Sequence, residues 1–145
     1  MKPPVDTVYI SQLGRDQLIK LKRQTGIEHY NVLCRWALCA SLREESIPPQ
    51  SLAASAGALA IDWRVLAGNF SEILSAMLAF RSRKDGFGDS PDSIASYLRF
   101  HVHRGLGYLA SETEEIGISA FLRRWGLNEN RPDHFSAQSQ TAAER

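Results

Sequence analysis

Cys34, Cys39, His101 and His103 are the side chains here best suited to metal or thiol chemistry, and their spacing argues against both. Cys34 and Cys39 lie five residues apart in a stretch with helical periodicity. At 100° per residue they point about 140° away from each other. A disulfide between them would require the helix to break, and a shared metal ion is equally disfavoured. The reading that remains is two free thiols, buried or half-buried, acting as small hydrophobes. His101 and His103 are about 200° apart on a helix, so one face cannot offer both to an ion. His29 and His134 have no partner at ligand spacing. Each histidine reads as core-satisfied or surface; the alternative is that His101 or His103, with Arg99 and Arg104, hydrogen-bonds phosphate or a neighbouring subunit. Neither a phosphate-binding glycine loop, nor a nucleophile elbow, nor a Cys-x-x-Cys pair occurs. Gly105-Leu-Gly107 sits inside a helical pattern with no preceding strand, which points to close helix packing. Because no titratable set converges at useful spacing, we expect neither an enzyme, nor a metal, nor a cofactor.

The cations are more informative. Net charge is only +1, yet residues 1–43 hold seven Lys/Arg against Asp6, Asp16 and Glu28, a local +4. Residues 44–80 sum to −3, residues 81–110 to +2 and the remainder to −2. Clustered positive charge matters more for phosphate binding than the total. The candidates for phosphate contact are Lys20, Lys22 and Arg23, with Arg15 and Arg35 behind them. The bland alternative is a solvated helical face.

These residues need elements to position them. Val5 to Ile10 alternates, with Val8 and Ile10 on one face and Thr7 and Tyr9 on the other, which predicts a strand. Ser11 is placed to cap a helix carrying Leu18 and Leu21 inward, and Gly26 to end it. A second helix runs from Glu28 or Asn31 to about Glu44, burying Val32, Leu33, Trp36, Ala37, Ala40 and Leu42. Ile47-Pro-Pro-Gln stops any helix, and Leu59, Ile61, Trp63 and Val65 alternate as a second short strand closed by Gly68. Asn69-x-x-Glu72 resembles a capping box, followed by a stripe of Phe70, Ile73, Leu74, Met77 and Leu78. Arg81 to Gly86 ends that helix. Ser90-Pro91 opens the next, with Ile94, Tyr97, Leu98, Val102 and Leu106 inside. Ser111-x-x-Glu114 is read as the start of a last helix, with Ile118, Phe121, Leu122 and Trp125 inside and Gly126 at its end. From Asn128 the chain turns polar and aromatic-poor, the composition of a disordered tail.

The reading is mainly α: a compact helical domain over 1–127, with an N-terminal ribbon-helix-helix-like unit, about three further helices, and a tail over 128–145. Hydrophobic content of 43% and charged content of 23% fit a globular protein able to bury a core. There is no apolar run near the ~20 residues of a membrane span and no secretory core at the N-terminus, so the expected location is the cytoplasm. In a ribbon-helix-helix pair, strands from two chains form an antiparallel ribbon that enters the major groove. Thr7 and Tyr9 are poor base readers and Asp6 repels phosphate, so this strand is expected to dimerise more than to read sequence.

Four segments carry a resemblance: Asp16-Gln-Leu-Ile-Lys-Leu-Lys-Arg-Gln-Thr-Gly-Ile27, Asn31-Val-Leu-Cys-Arg-Trp-Ala-Leu-Cys-Ala-Ser-Leu42, Ile61-Asp-Trp63 and Phe100-His-Val-His-Arg-Gly-Leu-Gly-Tyr-Leu109. Through them, residues 5–125 resemble the DNA sulfur modification protein DndE family of the bacterial phosphorothioation system. The resemblance implies a mostly helical homotetramer that binds double-stranded DNA, preferring nicked DNA. It implies action beside a cysteine desulfurase, an ATP-pyrophosphatase-like sulfur transferase and an ATPase, which together replace a non-bridging phosphate oxygen with sulfur. DNA contact in that family is attributed to surface lysines, which by position gives Lys20, Lys22 and Arg23, then Arg15 and Arg35. This chain departs from a lysine-rich surface. Its expected role is a non-catalytic DNA-binding and assembly subunit; the alternatives are a ribbon-helix-helix repressor and a protein-only scaffold in the same complex. Cys34 and Cys39, buried on a helix, are poor sulfur carriers.

Overall fold

The computed structural model describes residues 3–50 and 57–124. It is mainly α-helical, with one two-stranded antiparallel sheet. Strand β1 (Thr7–Ser11) leads directly into α1 (Gln12–Thr25). The Ser11 hydroxyl accepts from the Gly14 amide at 3.1 Å, and Gly26 ends the helix at φ 73°, donating its N–H to Lys22 O. Both ends are therefore as the local sequence requires, since Ser supplies an oxygen to an orphan N–H and Gly enters the left-handed region without strain. Helix α2 spans Tyr30–Leu42, and β2 spans Gly57–Asp62. The second strand stops earlier than alternation suggests: Asp62 accepts from the Arg64 amide at 2.8 Å and starts α3 (Trp63–Ala67), so Trp63 and Val65 are helical. Helix α4 is Ser71–Lys84, and α5 is Pro91–Arg124.

Three expectations are corrected. The partner of β1 is β2 of the same chain, in the register Val8 with Ile61 and Ile10 with Leu59. Its other edge is occupied too: the Ser11 amide donates to His103 Nε2 at 3.0 Å, and Arg99 Nε donates to Tyr9 O at 3.1 Å. A ribbon built from two chains at β1 is thereby excluded. Secondly, Ser111 starts no helix. Helix α5 continues through it and departs from helical geometry only at Gly117, with φ 73° and ψ 168°. Thirdly, Asn69 and Glu72 form no capping box; α4 begins after Phe70 without a side-chain cap. The expected placements of Ile118, Phe121, Leu122 and Trp125, the stop at Gly126 and the tail over 128–145 lie outside the described residues.

The core joins both faces of this arrangement. Val8, Ile10, Leu18, Leu21, Leu33, Ala37, Leu38, Trp63, Leu66, Leu78, Leu98, Val102 and Leu106 are buried together. At about 1.5–3 kcal/mol for each large side chain, their burial is the main favourable term. Trp63 also donates from Nε1 to the Ser71 hydroxyl at 3.1 Å, tying α3 to α4. Among the described residues no helix is long and apolar enough to cross a membrane.

Helices α2 and α5 cross where Gly105 meets Ala37. A Cβ on Gly105 would stand 1.8 Å from the Ala37 carbonyl oxygen, a contact that only backbone displacement relieves. At Gly107 the nearest atom to a Cβ is Gln17 Nε2 at 4.0 Å. Gly105→Ala is therefore expected to destabilise by about 3 kcal/mol or more, at the upper end of overpacking. Gly107→Ala should be neutral or stabilising by about 0.5–1 kcal/mol, the helix preference for Ala over Gly. Urea midpoints of the two variants check this, and equal losses would refute the crossing geometry.

Candidate nucleic-acid interface

The five expected phosphate contacts do not form one patch. Arg15, Lys22 and Arg23 are exposed, and at 100° per residue they fall within about a 100° arc of α1. The Lys22 ammonium lies 5.5 Å from the centroid of the Tyr30 ring. Lys22 and Arg23 also occupy the last turn, where cations favour the helix macrodipole. Lys20 is turned toward α5 and pairs with Glu114. Both side chains of that pair are partly exposed, so it is worth little in stability but occupies the lysine. Arg35 is half-buried and structural. It donates from Nε to Leu66 O at 2.7 Å, and its guanidinium stands 5.7 Å from the Phe70 ring centroid. The exposed cationic flank of α1 is therefore Arg15, Lys22 and Arg23.

The remaining arginines show why sequence alone overstates the available positive charge. Arg104 is buried, donating from Nε to Ser41 Oγ (2.8 Å), from Nη2 to Ser41 O (2.8 Å) and from Nη1 to Ser46 O (2.9 Å). Arg81 donates to Leu42 O and Glu44 O, each at 2.7 Å. Both guanidiniums cap the C-terminal carbonyls of α2, which have no partners within the helix. Arg43 and Arg64 are exposed, and so is an adjacent pair at the end of α4, Arg83 and Lys84, which the sequence reading did not single out for phosphate contact. Arg83 lies 3.8 Å from Asp89 there.

His101 and His103 are built into the interior, so phosphate or subunit contact through these two is excluded. His103 Nε2 accepts from the Ser11 amide, which leaves the ring proton on Nδ1 to donate to Arg99 O at 2.7 Å. Burial lowers its pKa, with the Arg99 carbonyl bond opposing and the Arg99 charge assisting. His101 is fully buried, edge-on to Tyr97 at 4.4 Å between centroids, and its Nδ1 lies 2.7 Å from Ser41 Oγ. Because Arg104 already donates to that oxygen, the Ser41 hydroxyl proton is directed to Nδ1. That leaves His101 Nε2 without a hydrogen-bond partner. Burial, helped by the charges of Arg104 and Arg81, holds His101 down at about 3. Tyr97 in turn donates to Asp85 Oδ2 at 2.5 Å, and burial with that carboxylate raises its pKa.

The thiols are both free, but unequal. Cys34 is buried, which pushes it up to about 12. Cys39 lies at the surface, contrary to the expectation that both are covered; desolvation raises its pKa and the Arg35 charge pulls it back in part. Among the described residues no three His, Cys, Asp or Glu side chains are grouped to hold a metal.

A small helical protein, its ribbon closed within one chain, with an outward cationic helix flank and arginines capping an inner helix end, is the class this geometry defines. The model of the family "DNA sulphur modification protein DndE" matches residues 7–116, and the chain belongs to that family. Among solved structures, DndE from Escherichia coli B7A, involved in DNA phosphorothioation modification, shares the fold at a TM-score of 0.59 and 23% identity. The match covers 72% of this chain and 97% of that chain. No curated protein matches.

The histidine environment sets a pH dependence. With His101 at about 3 when folded and near 6.5 when unfolded, the unfolded chain binds the extra proton as pH falls. Stability is thus unaffected above about pH 6.5 and declines below it, by on the order of 2 kcal/mol at pH 5 from His101 alone. Urea midpoints at pH 7 and pH 5 measure the decline, and His101→Gln should lessen it, leaving the part that His103 contributes. The thiols are separately testable by alkylation of the native protein: Cys39 should label well before Cys34.

Proposed function

We propose that this chain is a non-catalytic, DNA-binding and assembly subunit of the cytoplasmic machinery that puts sulfur into the DNA backbone. Family membership supports the process. The observation that carries the binding role is the exposed flank of α1, where Arg15, Lys22 and Arg23 project together while Lys20, Arg35, Arg81 and Arg104 are engaged within the fold. Three cations contact phosphates without specifying bases, so they position a duplex and do not read it. A homotetramer would repeat the flank four times and make a modest patch sufficient for duplex binding. A nick lowers the cost of bending, which favours nicked over intact DNA for a binder of this kind. A cysteine desulfurase, a sulfur-transferring ATP-pyrophosphatase-like enzyme and an ATPase are its proposed partners.

The repressor reading loses its basis, because the strand that would form the two-chain ribbon is paired on both edges within one chain. A scaffold with protein contacts only is the second reading, favoured by apolar surface on α4.

Gel shifts of intact and nicked duplex across a salt series test the proposal. The triple variant Arg15→Glu, Lys22→Glu, Arg23→Glu should weaken binding to every sequence alike. It should also lower the slope of log K against log salt by about one for each cation removed. If the triple variant binds DNA as well as the wild type does, the α1 flank is not the DNA-binding surface and the scaffold reading stands.

A further inference from the structure

Helix α4 does not bury the stripe its periodicity suggests. Leu74 and Leu78 face inward with Ser75 and Ser82, while Phe70, Ile73, Met77 and Phe80 are between 40% and 66% exposed. With Val65 these make up five of the ten large apolar side chains that are exposed among the described residues. The spacing from Phe70 to Ile73, Met77 and Phe80 is 3-4-3, and Lys84 takes the next position. That is the seam onto which a second helix packs, knob into hole. Beside it, Ala76, Ala79, Phe80, Arg83 and Lys84 line an open groove, where small side chains let a neighbouring backbone come close. A contiguous apolar strip of this kind on a soluble surface marks an interaction site.

Charge decides the occupant. The Arg35 guanidinium stacks against Phe70 at one end of the seam, and Lys84 closes the other, with Arg83 beside it 3.8 Å from Asp89. The only acid on α4 is Glu72, on its flank. A second copy lying antiparallel would set Lys84 toward Arg35, and a parallel copy would set Lys84 on Lys84. Either pairing brings like charges together across a desolvated seam, which costs affinity. We propose that the α4 seam takes an amphipathic helix of another protein, apolar at 3-4-3 spacing and bracketed by carboxylates at both ends. This reading stands on α4 alone and does not depend on whether α1 contacts DNA.

The test uses the full chain and synthetic helical peptides. One peptide carries Leu at 3-4-3 spacing between Glu residues; its twin has Lys in place of those Glu, and binding is measured by fluorescence anisotropy at low salt. The Glu peptide should bind at least about tenfold tighter than the Lys peptide. Ile73→Glu with Phe80→Glu should abolish binding, with thermal melts confirming that these exposed changes leave the fold intact. Lys84→Glu with Arg83→Glu should reduce or reverse the preference between peptides. Gel shifts on the same variants should be unchanged, which separates failure here from failure of the DNA-binding reading. Equal binding of both peptides, or binding that survives the Ile73 and Phe80 changes, overturns the proposal. So does a fall in the solution mass of the Ile73/Phe80 variant, which would assign the seam to a second copy.

Discussion

A helix that stops inside a protein leaves carbonyl oxygens in need of donors, and the end of α2 imposes that requirement on this chain. Ser41 O, Leu42 O and Glu44 O receive theirs from Arg104 and Arg81, which come from α5 and α4. Burying a guanidinium costs several kcal/mol unless each of its donors is used. Here the cost is offset, because Arg104 reaches four oxygens on Ser41 and Ser46. The residue next to it, Gly105, allows α5 to press directly on Ala37. Arginine and glycine therefore act together: the missing Cβ sets the helix separation, and that separation brings the guanidinium within reach of the α2 carbonyls. The same junction bears on His101, whose ring is kept neutral first by its burial and then by the Arg104 charge beside it.

A second consequence concerns the positive charge. Seventeen Lys and Arg balance sixteen acids in this chain, and several of the cations serve internal carbonyls instead of solvent. Arg99 closes the edge of β1, Arg35 holds the end of α3, and Arg81 and Arg104 hold the end of α2. Counting charges along the sequence treats all of these as surface. What remains outward on α1 is a narrow flank, so any grip on phosphates must come from geometry and repetition more than from a strong overall field.

The features legible in the sequence are those fixed by neighbouring residues. Ser11 and Gly26 set the ends of α1, Leu18 and Leu21 are on its buried side, Pro91 opens α5 behind Ser90, and Gly105 is a packing glycine. Each follows from a local rule of capping, periodicity or backbone freedom. The features that could not be read are non-local. Nothing near Thr7 says that its partner is Asp62, because pairing depends on where the loop after α2 returns. Periodicity identified an apolar stripe on α4 but could not say which side of the helix the rest of the chain would cover. Ser111 looks like a cap from its own spacing, yet it continues α5, directly after the buried Leu109 and Ala110. Of the candidate contacts, Arg15, Lys22 and Arg23 are exposed, whereas Lys20 and Arg35 are diverted by Glu114 and Leu66, partners distant in sequence.

The same packing leaves two kinds of surface uncovered. The interior joins α2 to α5 and the ribbon to α5, and it leaves one side of α1 and one side of α4 uncommitted. The first is cationic with little apolar area beyond Ile19 and Leu13; the second is apolar with cations only at its ends. A polyanion gains from the first surface through counterion release and gains nothing from burying the second. A helical protein segment gains from the second through desolvation and would find little apolar area to cover on the first. The two surfaces thus suit ligands of different chemistry, which would not compete for the same side chains.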